Sequence, residues 1–277
     1  MSPLTFEQLG ERIQQIPLLP QVVSDVQDIL QQVEVDLELL EWTLHKDMAI
    51  VARVLRLANS PFYGLSGEIS SIHEACLLLG MHTIRNVVTT AGVMMQLPAD
   101  GDGLIDRKKL WEHSMGTAVA ARVIASHAGF DQENAFTGGM LHDIGKLVMD
   151  RYFHSDYQAV LHYQVTEDCL LREAETAVLG FDHSIVGARA AQRWRFPASI
   201  VEAIEHHHEP DKNAPSKSAD IIHVADILCR GLEIGYGGDP LIPILASSAA
   251  QRIKLDWDNL EVMLQEIEEL YSMTKLI

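Results

Sequence analysis

Cysteine is scarce in this chain: Cys76, Cys169 and Cys229 are the only three in 277 residues, and no two form a C-x-x-C pair. That excludes a disulfide framework and fits a reducing compartment. Aromatic residues make up only 6%, so Leu, Ile, Val, Ala and Met must fill the core that a 47% apolar content allows. Positive charge is also short, with 21 Lys and Arg against 39 Asp and Glu, a formal net charge of -18. Such a surface repels nucleic-acid backbones and anionic membranes, so neither is an expected partner. An anionic substrate would need positive charge supplied locally. No stretch approaches the roughly 20 uninterrupted apolar residues of a membrane helix. The opening MSPLTFEQLGERIQQIP carries acids and no apolar run of the signal-peptide kind. A soluble, cytoplasmic protein is expected. No GxxxxGK loop is present to cradle a nucleoside triphosphate.

What is present is helical periodicity from end to end. Thr5 and Gln8 form a capping box, and Val22, Val23, Val26, Ile29 and Leu30 recur at three- and four-residue steps. Asp36 and Asp47 can each cap a further helix. Ser71 and Glu74 open another, and Gly80 sits where a C-terminal glycine belongs. The acidic, Gly-rich ADGDG at 99–103 marks a boundary between two helical halves, 1–98 and 104–277. Helices are expected over roughly 106–129, 133–150, 155–164, 167–178, 183–195, 197–208, 216–233 and 240–252, with a last one after Asp256. No alternating strand pattern appears. The expected fold class is all-α.

The segment LHDIGK, 141–146, carries the most chemical information. His142 offers an imidazole nitrogen and Asp143 a carboxylate that can bridge two cations. Lys146 lies one turn beyond His142, where an ammonium could meet a phosphate. Alone, a His-Asp dipeptide is most often a buried His beside a helix-capping Asp. Further candidates shift the balance: His113 in WEHSMG, His183 in DHSIVG, His207 and His208 in EHHHEP, and Asp226 in the apolar stretch IIHVADIL. An unpartnered carboxylate in that last stretch would be costly to bury. His206 neighbours the pair, and a register shift of one would bring it in. His45, His73, His82, His127, His154, His162 and His223 read as surface or satisfied core residues.

The order His113, His142-Asp143, Asp226 resembles the H…HD…D pattern of the HD phosphohydrolase superfamily. His183 and His207-His208 resemble the extra ligands of its HD-GYP branch. The segments IPLLPQVV, HKDMAIVARVLRLANSPFYG and ISSIHEACLLLG resemble the HDOD family, an HD-related module of bacterial signalling, from about Ile16 to Leu232. The resemblance implies an HD-type multi-helix bundle with an additional helical N-terminal subdomain. It further implies one divalent ion (Fe, Mn, Zn, Ni or Mg) held by His113, His142, Asp143 and Asp226. Asp143 would bridge to a second, held by His183, His207 and His208. Asp143 and Lys146 would be the catalytic pair, with Lys146 contacting phosphate.

Two departures narrow this expectation. PDKNAPSKS follows His207-His208-Glu209 where HD-GYP enzymes continue into a GYP loop, so cyclic di-GMP cleavage is not expected; the later GYGGDP, 235–240, is not that loop. Lys109 stands where trinuclear members carry a Glu, so at most two metals are expected. Two functions stay open: a metal-dependent phosphohydrolase acting on a phosphoester or nucleotide, and a non-catalytic module that binds a signalling protein and in which metal is structural.

Overall fold

Local sequence signals set most helix boundaries in the computed structural model, which describes residues 3–32, 34–59, 69–97, 103–213 and 215–274. Every regular element among the described residues is an α-helix, as the periodicity predicts. None is long and apolar enough to cross a membrane. The chain divides into two compact units, Met1–Pro17 with Ala99–Ile267, and Leu18–Pro98 with Glu268–Ile277.

The smaller unit holds α2 (Gln21–Leu30), α3 (Leu37–Leu44), α4 (Met48–Ala58) and α5 (Ile72–Gln96). Val23, Val26, Ile29, Leu40, Leu44, Ile50, Val54, Ile72 and Ile84 form its core. The Asp36 side chain accepts from the Leu39 N–H and caps α3. Gly80 interrupts α5 at φ 80°, ψ 159°, so the run is two helices meeting at the expected glycine. Most of the NSPFYG segment, with all of 60–68, lies outside the described residues, as do 99–102 of ADGDG. Its first residue is described: Asn59 Nδ2 donates to Leu55 O at 2.9 Å and Ile69 O at 2.8 Å, and Ile69 N–H donates to Asn59 Oδ1 at 2.6 Å. One amide thus ties together both ends of that segment.

The larger unit begins with α1 (Phe6–Gln15), capped by the expected Thr5–Gln8 box. The sequence boundary groups this helix with the first 98 residues. In the structure it packs on α11 (His183–Arg193), where Arg193 Nε donates to Ile16 O at 2.8 Å, and Arg12 pairs with Asp156 at 2.6 Å. Next come α6 (Arg107–Ala128) and α7 (Gln132–Leu141), a hairpin turned by Gly129 at φ 63° and capped by Asp131. Small residues let these two helices touch: a Cβ on Gly139 would lie 2.5 Å from Ala118 Cα. The unit continues with α8 (Ile144–Tyr152), α9 (His154–Glu167), α10 (Leu171–Leu179), α12 (Ala198–His206), α13 (Lys217–Gly231) and α14 (Ser247–Arg252). The final α15 (Trp257–Thr274) runs across the division between the units.

Two expectations need correction. A single helix was expected over 133–150, but the chain breaks at His142-Asp143, between α7 and α8. Asp143 adopts φ −94°, ψ 10°, outside the helical region. The break frees both side chains from a continuous helix surface. The helix expected over 240–252 starts only at Ser247, because Pro240 and Pro243 hold the preceding segment in irregular structure.

The contact of α8 with α11 tolerates no side chain at Gly145. A Cβ there would collide with His183 O and approach Gly187 N to 2.8 Å. Gly10, exposed on α1, has nothing within 4 Å of its would-be Cβ. Gly145→Ala should therefore destabilise the protein by about 2–3 kcal/mol or more, and Gly10→Ala should stabilise it by about 0.5–1 kcal/mol. Opposite shifts in thermal midpoint by circular dichroism check this pair; shifts of the same sign contradict it.

Candidate metal centre

The break between α7 and α8 places His142 and Asp143 deep inside the larger unit, with exposures of 0% and 1%. His142 Nδ1 donates to Gly139 O at 2.7 Å, which leaves Nε2 as the free lone pair and aims it inward. The Gly145 approach brings the start of α11, and with it His183, against Asp143: His183 Nε2 lies 3.2 Å from Asp143 Oδ1. His183 Nδ1 and its own N–H both donate to Glu175 Oε2 on α10, at 2.6 and 2.9 Å. The chain leaves α12 at His207, whose Nδ1 donates to Ile204 O at 2.7 Å and whose Nε2 sits 3.9 Å from Asp143 Oδ1. His208 Nε2 lies 2.9 Å from His183 Nε2. From the other side, α6 supplies His113 and α13 supplies Asp226, with His113 Nε2 3.0 Å from Asp226 Oδ1 and 3.7 Å from Asp143 Oδ2. His142 Nε2 lies 3.3 Å from that same Oδ2.

All seven sequence-predicted ligands thus converge. They form overlapping groups whose donor atoms lie within 4.8 Å of one another: His183, His207 and His208; His113, His142 and Asp226; His142, Asp143 and His207. These residues could hold a metal ion. The chemistry fits, because Nε2 of His113, His142 and His207 and Oδ1 of Asp143 are buried without a hydrogen-bond partner. Buried polar atoms in native proteins are nearly always satisfied. Imidazole and carboxylate donors suit divalent transition ions. His206 turns elsewhere, with Nε2 3.1 Å from Asn213 Nδ2, and does not join these groups.

The electrostatics point the same way. Burial alone would raise the Asp143 carboxyl, but His142 and Lys146 outweigh it and hold the group well below the usual carboxylate range. Burial acts likewise on Asp226, and Arg230, then His113, overcomes it. Burial and neighbouring imidazoles keep His207 and His208 well below the ordinary histidine value, hence neutral as ligands must be. His183 goes the other way. Burial would depress it, yet the Glu175 carboxylate, with Asp143, raises it to about 9. To hold a metal through Nε2 it would have to give up the proton on that nitrogen.

Several participants escaped the sequence reading. Glu175, fully buried eight residues before His183, orients that imidazole. Arg230 donates from Nε to Asp226 Oδ1 at 2.8 Å, and its Nη1 lies 3.5 Å from Asp239. The i,i+4 spacing of Asp226 and Arg230 was the signal for that pair. His223 is a satisfied core histidine, one of the two alternatives the sequence allowed: Nδ1 donates to His207 O at 2.7 Å, and Nε2 accepts from Ala246 N–H at 3.0 Å. The GYGGDP segment covers the His113 side. A Cβ on Gly235 would strike the His113 backbone, and one on Gly237 would lie 2.9 Å from the His113 ring and 3.2 Å from Asp143 Oδ2. Lys146, 1% exposed, is held between Asp143 Oδ2 at 2.6 Å and Gly237 O at 2.7 Å.

A model of the HDOD domain family matches residues 16–210. An uncharacterized protein of Treponema pallidum is 26% identical over 203 residues, 72% of this chain and 39% of that protein. Ribonuclease Y of Thermus thermophilus is 32% identical over 117 residues, 42% of this chain and 16% of the enzyme. The chain therefore spans well under half the length of these curated relatives. Among solved structures, an HDOD domain protein of unknown function from Geobacter sulfurreducens superposes with a TM-score of 0.74 at 24% identity, covering 96% of this chain and 99% of that one. A protein of Shewanella amazonensis named "Putative phosphohydrolase" gives 0.74 at 25% identity, covering 96% and 97%.

Glu175→Gln keeps the shape of the side chain and removes the charge that orients His183. Partners of this kind typically contribute 10–100-fold to metal affinity. Titration of metal-stripped protein with Zn²⁺ or Mn²⁺ should show weakening of about that size in Glu175→Gln, and stoichiometric loss in Asp143→Ala by elemental analysis. Unchanged affinity in Glu175→Gln would sink its assigned role.

Proposed function

The chain belongs to the HDOD domain family, and from that premise we propose that it is a metal-dependent phosphohydrolase acting at a dinuclear site on a small phosphoester or nucleotide. One observation carries the reading: the two oxygens of Asp143 address different ligand groups. Oδ2 faces His113 and His142, while Oδ1 faces His183 and His207. A bridging carboxylate between two divalent ions would use that arrangement. Asp226 would complete the first ligand set and His208 the second.

When bound, such ions supply Lewis acidity, offsetting charge on a phosphoryl group and easing deprotonation of an attacking water. The chain's residues do the rest. Asp143 holds its two oxygens apart for the two sets and can orient the nucleophile. Lys146 fixes Oδ2 and balances its charge; two of its three N–H groups are engaged by Asp143 and Gly237, so one remains for a phosphoryl oxygen. Glu175 keeps the His183 ring in one orientation, and the Gly139 and Ile204 carbonyls do the same for His142 and His207.

The similarity to Ribonuclease Y, by its name an enzyme of RNA, covers 117 residues and raises phosphodiesters as a substrate class. A formal charge of -18 disfavours a long polyanion and favours a small molecule.

A second reading has its own observation. Six of the seven ligands are buried, and Gly237 presses on the His113 side. A closed metal site of this kind would brace an interaction module that binds a signalling protein.

The deciding experiment loads the purified protein with Mn²⁺ or Fe²⁺ and assays phosphomonoesters, phosphodiesters and nucleotides beside Asp143→Ala. Hydrolysis that chelation and Asp143→Ala both abolish is expected. Metal that stays bound through dialysis, with no turnover of any substrate, would establish the bracing role instead.

A further inference from the structure

The two halves of the metal centre differ in access. On the His113 side, Gly235 and Gly237 lie against the ring and backbone of His113, Lys146 is pinned to Gly237 O, and Arg230 covers Asp226. On the other side, His208 is the one ligand among the seven that is partly exposed. A substrate must therefore approach past His208.

That approach carries cations in a chain that has few. Glu209 follows His208 directly and is flanked by Lys212 Nζ at 2.6 Å and Arg172 Nη1 at 3.6 Å. The Glu209 bond chiefly raises the Lys212 pKa, while Asp182 adds to it and Arg172 opposes it, which sets all four groups within electrostatic reach. Asp182 is the N-cap of α11, immediately before His183. Arg172 is underused where it stands. Its Nε is buried with no hydrogen-bond partner, and among the described residues its only ion pair is the long one to Glu209. A guanidinium with a donor to spare can turn its planar fork onto a phosphate, an acceptor it matches bidentately.

Resting on the hydrolase reading for the site itself, we infer that Arg172, with Lys212, binds a second anionic group of the substrate beside His208. The substrate class is then a molecule with two separated phosphates, such as a nucleoside bisphosphate or a short dinucleotide, rather than a simple monoester. Glu209 holds both cations in place until that group displaces it.

The test uses full-length, metal-loaded protein and probes that phosphoesterases cannot cleave: methylphosphonate against a series of alkane-α,ω-bisphosphonates of increasing length, by calorimetric titration. At least one bisphosphonate should bind about tenfold or more tightly than methylphosphonate, as expected for a second charge-assisted contact. Arg172→Ala and Lys212→Ala should each shrink that preference, and the double variant should erase it. Arg172→Lys, which keeps the charge and loses the fork, should restore part of it. Circular dichroism confirms folding; both residues are partly exposed, at 27% and 59% of their side chains. No preference at any length, or one that survives the double variant, overturns the inference. An Arg172-dependent preference in a protein that hydrolyses nothing would retain the anion site and discard the hydrolase reading, so the two fail separately.

Discussion

The burial of the Asp143 carboxylate is the constraint on which the larger unit depends. A charge at 1% exposure is tolerable only if cations or donors surround it. Each of its neighbours comes from a different element: His142 from the end of α7, Lys146 from α8, His183 from the start of α11, His207 from the end of α12 and His113 from α6. Bringing them close enough demands features that would otherwise weaken a helical protein. The α7–α8 helix must break. Gly145 and Gly187 must let two backbones touch, and Gly139 must let α7 lie on Ala118. A packing optimised for apolar burial would fill these positions. The glycines and the interrupted helix are explained by the carboxylate.

Most of the fold was legible because helix signals are local. Thr5, Asp36, Asp47 and Ser71 cap the helices they precede, and Gly80 adopts positive φ where one helix ends. The residues that converge at the centre were legible too, because His and Asp in apolar runs stand out against a core built of aliphatics. The break at His142-Asp143 was not. Asp143 is a possible cap, and only the tertiary need to turn two side chains inward decides for a break there. Glu175 was hidden for the same reason, since an acid on an amphipathic helix normally reads as solvated. The docking of the N-terminal helix onto α9 and α11 was hidden because it rests on Arg12 with Asp156 and on Arg193 with the Ile16 carbonyl, contacts between residues more than 140 positions apart. No window of sequence contains both partners.

The same neighbours that stabilise Asp143 divide the centre into unequal halves. On one side, Arg230 reaches from Asp226 to Asp239, and Asp239 in turn accepts from the Leu171 N–H at 2.8 Å. Lys146 reaches from Asp143 to the Gly237 carbonyl. These bridges tie the His113 half to the 234–241 segment and to α10, so that half is part of the framework. The other half has lighter support: Glu175 behind His183, one carbonyl behind His207, and His223 linking the His207 carbonyl to Ala246. Among the described residues, the His208 side chain hydrogen-bonds only to His183. Approach from solvent is therefore easiest past His208, the one partly exposed member of the group, and substitution is most disruptive at His113 and Asp226. Asp143 belongs to both halves. A change in the open half can alter chemistry while the framework half preserves the fold, whereas a change at Asp143 cannot separate the two.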